Sequence, residues 1–257
     1  MSAEKSSGKL TLIEHWMLSL AIAKKNAKIY YLKPPVLIFG LLFPVFMFLA
    51  FAVGRNLPAA SMVPGLIGMT VLFAASSVGP LIAPWERQAK TYERLLTTPV
   101  SLWHIVLGDV WAGFLYGLVI SLVPLALGVL VFGALLFEPA VFLVTLFLAV
   151  YCFASLGALL AALPTDMPSN VMMLATLVRF PLLFVSGVFV PLEQMPAWGR
   201  SIALFSPLTY TMDLIRLAFG EQPQIGPQFD MTALVAFTAL FLGSAYLLQK
   251  KGLSRVF

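Results

Sequence analysis

The sequence predicts an all-α polytopic membrane protein, and its composition, its long apolar runs and the placing of its basic residues all point that way. Of 257 residues, 60% are hydrophobic and 11% charged, whereas a soluble domain carries roughly 45–50% apolar and about 25% charged residues. A soluble fold of this length has too little interior to hide so much apolar surface, so lipid is the solvent for most of the chain. Helical crossing of a bilayer takes about 20 apolar residues. Runs of that order lie at 36–53, 61–83, 104–136, 140–162, 171–190 and 231–249. They make six spans within one transmembrane domain covering 1–257. The third run is too long for one straight crossing, and Pro124 or Gly128 is the expected place for a kink. Short links at 137–139 and 164–169 force their flanking helices to run antiparallel.

Basic residues orient the spans. With the N-terminus inside, Lys5, Lys9, Lys24, Lys25, Lys28, Lys33, Arg87, Lys90, Arg94, Lys250, Lys251 and Arg255 fall on the cytoplasmic side. Only Arg55, Arg200 and Arg216 fall outside, and Arg179 lies within a span. An excess of Lys and Arg marks cytoplasmic loops, so both termini are expected in the cytoplasm, in the cell membrane of a prokaryote. The same distribution accounts for the net charge of +5 without a nucleic-acid partner. Residues 1–9 are polar and lack the apolar core and cleavage site of a signal peptide. Cys152 stands alone in an apolar run, so no disulfide framework is expected and it reads as a small packing residue.

Three segments outside the spans carry the remaining pattern. In residues 10–31, Ile13, Trp16, Met17, Leu20, Ala23, Ala27, Tyr30 and Tyr31 recur at helical spacing, with Glu14, His15, Lys25 and Asn26 on the other side. A basic amphipathic helix of this kind lies in the interface plane. It serves either as an anchor alone or also as a contact for a cytoplasmic partner, and Pro34-Pro35 then turns the chain into span one. Residues 84–98 place Glu86 and Lys90 at i,i+4, in the helix-stabilising order, and Pro99 stops that helix. This segment is a solvated loop or a docking element. Residues 191–220 are too apolar for a solvated loop and too short to span, which suggests an interfacial or re-entrant segment.

In this order and spacing, the segments resemble the permease subunits of type-2 ABC exporters over nearly the whole chain. Two stretches carry the likeness. Glu86-Arg87, followed by Thr91 to Val100, looks like the family's coupling helix between spans two and three. Phe184 to Pro196, then Ser206 to Tyr210 and Asp213 to Arg216, is similar to the end of span five and the paired extracellular re-entrant helices. Where many relatives carry a basic residue at the start of span three, this chain has Gly108-Asp109.

The resemblance implies a half-transporter in which two six-helix permeases, a homodimer, work with two copies of a separate ABC ATPase subunit. Glu86, Arg87, Lys90, Glu93, Arg94, Leu95 and Leu96 would couple the ATPase to the bundle. Spans two and five would line the pathway with Phe73, Ser76, Ser77, Arg179, Phe180, Phe184, Ser186 and Phe189. Glu193, Met195, Pro196, Tyr210, Asp213 and Arg216 would build the extracellular re-entrant region. No Gly-x-x-x-x-Gly-Lys-Ser/Thr phosphate loop occurs, so no cofactor is expected on this chain, and ATP and Mg are expected on the partner.

Polar residues in the spans keep more than one reading open. Arg179 and Asp109 lie at comparable depth, which permits an ion pair; the arginine serves either that structural role or the pathway. Ser76, Ser77, Gly79, Ser186 and Gly187 allow close helix approach or line a cavity. Glu193 and Asp213 are solvated charges, or else Glu193 caps the re-entrant segment and Asp213 holds Arg216. His15 and His104 are far apart, and no metal-ligand spacing, catalytic triad or paired carboxylate is visible. A membrane-embedded enzyme would have to draw on Asp109, Arg179 and Asp166, and a secondary transporter would call for an inverted repeat that the chain lacks. The expected function is therefore a permease subunit moving an amphiphilic or hydrophobic cargo, drug or lipid-like, by alternating access. A polysaccharide or lipid-linked glycan is the alternative cargo: a wide aromatic channel favours glycan, and a narrow cleft rich in Phe and Met favours an amphiphile.

Overall fold

The computed structural model describes residues 12–52, 59–91, 101–163, 165 and 167–253, and every regular element among them is helical. Helix α1 is Leu12–Tyr30. A run follows of α2 (Pro34–Leu37), a π-helical turn (Ile38–Leu42) and α3 (Phe43–Ala52). Then come α4 (Ala59–Ser77), α5 (Gly79–Gln88), α6 (Leu102–Leu130), α7 (Pro139–Ala161) and α8 (Pro168–Val185). A 3-10 turn (Leu192–Gln194), α9 (Ala197–Ala203), α10 (Pro207–Ala218) and α11 (Pro227–Leu253) complete the chain. Among the described residues, five helices are long and apolar enough to cross a bilayer, and there are six if the pair Trp16–Tyr30 and Pro34–Met47, bent by 93°, forms one span.

That bend follows from the sequence. Lys33 has an extended backbone before Pro34, as a residue preceding proline prefers, and Pro34-Pro35 at the head of α2 need no N–H partner. Beyond the bend, the Tyr116 hydroxyl donates to the Val36 carbonyl at 3.2 Å, at the entry to the π turn.

Helix α1 packs along α6 on an unexpected face. Its buried residues are Ser19, Ile22, Ala23, Asn26 and Tyr30, while Trp16 is 52% exposed and Met17 and Leu20 are also on the surface. The apolar stripe is thus divided: Trp16, Met17 and Leu20 face outward, where a bilayer would cover them, Ala23 and Tyr30 face the bundle, and Asn26, expected on the polar side, is enclosed with them. The Gly108-Asp109 pair explains the enclosure of Asn26. A Cβ at Gly108 would sit 2.6 Å from Ile22 Cγ2, so glycine admits α1 against α6, and Asp109 accepts a hydrogen bond from Asn26 Nδ2 at 2.8 Å.

The second span forms the bundle's core. From Met62 to Gln88 it runs to 27 residues, packed between α6, α7 and the end of α8. Small residues permit this: a Cβ on Gly79 would lie 2.6 Å from the Gly157 carbonyl, and one on Gly157 would lie 2.9 Å from the Ser76 carbonyl oxygen. Close backbone approach of this kind drives helix association in lipid, where burial of apolar surface contributes little.

Two expected boundaries are corrected. The third span ends at Leu130 rather than 136, because residues 131–138 leave the helix and the Phe137 and Glu138 N–H groups bond to the Ala218 carbonyl instead. Pro124 lies inside the unbroken α6. The charged segment expected as a separate helix from Pro84 is, up to Gln88, the end of the second span, with Pro84 inside α5. The chain turns at Lys90, whose φ of 53° is left-handed.

Candidate functional site

Three clusters hold the candidate residues. The first joins α1, α5, α6 and α7 at the end of the bundle that carries the lysines of α1. Lys25 of α1 pairs with Glu86 of α5, whose side chain is 5% exposed. Arg87, next along, donates to the carbonyls of Leu163 (3.0 Å), Thr165 (3.4 Å) and Ala161 (3.5 Å). The last carbonyls of a helix have no partner within it and carry partial negative charge, so Arg87 caps α7. Lys33 lies 5.0 Å from the Trp85 ring centre, and the Tyr31 hydroxyl donates to the Ala112 carbonyl at 2.6 Å. Ser101 and His104 begin α6 with a mutual cap, the Ser101 N–H donating to His104 Nδ1 at 3.0 Å. Of the expected coupling residues, Glu86 and Arg87 are thus turned into the bundle and Lys90 is exposed at its turn. Glu93, Arg94, Leu95 and Leu96 lie outside the described residues.

The second cluster lies around α8. Pro80 has no N–H, and in a continuous helix its N–H would bond the carbonyl of Ser76, four residues earlier. Arg179 takes that carbonyl through Nη2. Its side chain is fully enclosed, and the guanidinium carbon lies 6.0 Å from the Phe73 ring centre, within cation–π range. The pair that comparable depth permitted between Arg179 and Asp109 does not form, because Arg179 reaches α4 while Asp109 faces α1 and is held by Asn26. Rings pass from the core to the surface: Phe73 and Phe43 at 4.7 Å, Phe43 and Phe180 at 5.5 Å, Phe180 and Phe184 at 6.3 Å, Phe184 and Phe189 at 5.4 Å. Phe180 and Phe184 border a lateral cleft of about 720 Å³, whose other walls include Phe39, Met172, Met173 and Thr176. Phe184 is 50% exposed, whereas Phe73, Ser76 and Ser77 are enclosed. The serine hydroxyls stay on their own helices: Ser76 donates to Leu72, Ser77 to Ala74 and Ser186 to Leu183. Phe39, Met172 and Met173 escaped sequence reasoning; the paired methionines inside span five were the available signal.

The third cluster lies around the 3-10 turn, α9 and α10, in the segment expected to be re-entrant. Arg200 Nε donates to the carbonyls of Leu192 (2.9 Å) and Met195 (3.2 Å), and its Nη2 donates to that of Glu193. One guanidinium therefore folds the turn before α9; the Glu193 side chain is exposed and Pro196 caps α9. The Tyr210 hydroxyl donates to the Leu204 carbonyl at 2.7 Å, closing α9 onto α10. The expected bond between Asp213 and Arg216 is absent. Asp213 instead accepts from the Gln224 and Ile225 N–H groups at 2.9 and 3.0 Å. Arg216 donates to the Gly187 carbonyl at 2.7 Å and pairs with Glu221 at 3.7 Å. Burial raises the Glu221 carboxyl above the usual glutamate range, with Arg216 opposing. Arg200 was missed because its partners are backbone carbonyls, which leave no trace in side-chain pattern.

Comparison with known proteins adds the family. A family model described as ABC-2 type transporter matches residues 18–220. Nodulation protein J of Sinorhizobium fredii is 34% identical over 173 residues, covering 65% of this chain and 64% of that protein. Inner membrane transport permease YhhJ of Escherichia coli is 27% identical over 167 residues, 63% of this chain and 42% of its own length. Probable multidrug ABC transporter permease YbhR of Escherichia coli is 22% identical over 195 residues, 74% of this chain and 52% of its own length. The matched region thus spans just under two thirds of the first relative and about half or less of the other two.

Proposed function

The chain belongs to the ABC-2 type transporter family, a membrane permease of an ABC transporter, and from that premise we propose that it exports an amphiphilic or hydrophobic cargo by alternating access. The lateral cleft beside α8 carries this reading. Its named walls are Phe and Met side chains with Thr176 as the polar exception, and the Thr176 hydroxyl is already given to the Met172 carbonyl at 2.8 Å. Such a wall offers dispersion and aromatic contact to an alkyl or ring-bearing molecule, and methionine adapts its shape to varied partners. It offers a polysaccharide few hydrogen bonds. The name of the YbhR relative, a probable multidrug permease, points the same way.

The remaining roles follow from this reading. Two copies of the chain enclose the pathway, and two separate ATPase subunits supply ATP and Mg. The bundle end with Lys24, Lys25, Lys28 and Lys33 faces the cytoplasm, in keeping with the bias of basic residues. The ATPase then engages the segment after Gln88. Glu86 and Arg87 pass its movement to α1 through Lys25 and to α7 through the Ala161, Leu163 and Thr165 carbonyls. A force applied at Gln88 reaches several helices through stiff, short contacts rather than through a loop.

The test is reconstitution with the ATPase subunit in inside-out vesicles, followed by ATP-dependent uptake of an alkyl-tailed fluorescent amphiphile and of a free oligosaccharide. Uptake of the amphiphile with nucleotide, reduced by Phe180→Ala and by Phe184→Ala, is the expected result. Uptake of only the oligosaccharide, or transport of either without nucleotide, would overturn the proposal.

A further inference from the structure

Arg179 is a buried cation whose donors exceed its acceptors. A guanidinium has five N–H groups; Nη2 serves the Ser76 carbonyl, and neither Nε nor Nη1 has a partner. Among the described residues no carboxylate is close enough to act on it. An unpaired charge at this depth is expensive, and the face of Phe73 offsets only part of the loss. Capping the carbonyl that Pro80 leaves open does not require a full charge, since a neutral amide would donate equally well. A requirement for charge therefore lies elsewhere.

The neighbouring geometry supplies a place for a counter-charge. On α8, Val171, Ala175, Arg179 and Leu183 form the buried stripe, and Met172, Met173, Thr176, Phe180 and Phe184, round the same helix, form the cleft wall. Phe73 is the neighbour common to both, 6.0 Å from the guanidinium and 6.2 Å from the Phe180 ring. One aromatic layer thus lies between the cation and the cleft. Pro181 weakens the helix beside it, because it cannot bond the Leu177 carbonyl.

We infer that Arg179 is an anion subsite: it receives the carboxylate, phosphate or sulfate headgroup of an amphiphile whose apolar tail occupies the cleft, once the Phe180 ring turns aside. This deepens the export reading and rests on it. The headgroup belongs either to a cargo molecule or to an anionic membrane lipid. In both cases the free N–H groups gain charge-assisted hydrogen bonds, which are shorter and stronger than neutral ones.

The experiment uses the complete permease–ATPase complex in phosphatidylcholine vesicles, titrated with 11-(dansylamino)undecanoic acid and its methyl ester, probes that share one tail and differ in charge. Binding is read from dansyl fluorescence and from stimulation of ATP hydrolysis. The wild type should bind the acid about tenfold or more tightly than the ester, the range expected for hydrogen bonds to a charged group. Arg179→Gln keeps a donor for the Ser76 carbonyl but no charge, and should lose that preference while holding ester affinity. Arg179→Lys should keep part of it. If only the Ser76 cap matters, Gln performs at least as well as Lys and the acid preference survives in both, which overturns the subsite. Equal wild-type affinity for acid and ester overturns it as well. Repeating the titration with phosphatidylglycerol in the vesicles separates the sources: loss of acid binding by competition assigns the site to a membrane lipid, and undiminished binding assigns it to cargo. Failure of both probes to bind or stimulate would count against the export reading itself, an outcome distinct from loss of charge preference alone.

Discussion

At the joint between α1 and α5, Glu86, Arg87 and Asp109 each meet a partner from another helix, whereas Arg179 on α8 meets one carbonyl and the face of a ring. Both regions bury charge in a chain that has little of it. At the joint, every contact crosses between helices far apart in sequence, so a displacement of α5 must carry α1 and α7 along. Around α8, the surface beside the cation is apolar and open, and two of its nitrogens wait for a partner. At the joint the charged side chains have partners on neighbouring elements, whereas two donors of Arg179 are left open. A polar group buried with all its bonds made is cheap, and one with bonds missing is costly, so the two arrangements serve different ends.

Four experiments test the packing and charge arrangements, from the largest expected effect to the smallest. Gly157→Val should be the most damaging, because the new side chain meets the Ser76 backbone behind the joint. Overpacking of this kind costs about 3 kcal/mol or more, read as a lowered thermal midpoint and lost yield of the purified protein. Arg87→Ala strips the cap from α7 and should cost about 2 kcal/mol; in the reconstituted complex, ATP hydrolysis should continue while transport per ATP falls. If transport and hydrolysis fall together, Arg87 supports folding but not coupling. Exchanging Lys25 and Glu86 should show coupling of about 1 kcal/mol in a double-mutant cycle, modest because Lys25 is partly solvated. Each single reversal is expected to destabilise and the double exchange to recover most of the loss.

The smallest effect concerns pH. The Glu221 carboxyl is raised by burial in the folded protein, so the folded state holds its proton more tightly than the unfolded chain does. The stability it contributes is present below the ordinary glutamate value and is lost as pH rises through the raised one. Glu221→Gln should flatten that part of the profile when thermal midpoints are compared between about pH 4 and 8. An unchanged profile would assign the acid arm to other groups.

How much was legible depended on the range of the interaction. The helical class, the apolar runs able to cross a bilayer and the absence of a phosphate loop are local properties, set by runs of apolar residues and by short motifs. The pairings were another matter. Asp109 had the right depth to meet Arg179, yet depth along a helix says nothing of azimuth, and the two side chains face different neighbours. Asp213 and Arg216 are three residues apart on α10, but each found better-placed backbone partners in Ile225 and Gly187. The α1 periodicity was real, but its large apolar residues Trp16, Met17 and Leu20 turned outward while Ala23, Asn26 and Tyr30 turned inward: in a membrane protein large apolar side chains can face lipid, and small or polar residues pack against protein.

By itself, the sequence determined that this chain lives in a bilayer as a helical bundle, because solvent preference acts on the residue that carries it, while several helix ends were set by packing. Tertiary structure alone decided that Arg87 caps α7, that Gly108 and Asp109 receive α1, and that Arg179 answers the carbonyl left open by Pro80. Each of these joins groups between 76 and 103 residues apart, and only the packing of whole helices brings such groups within bonding distance.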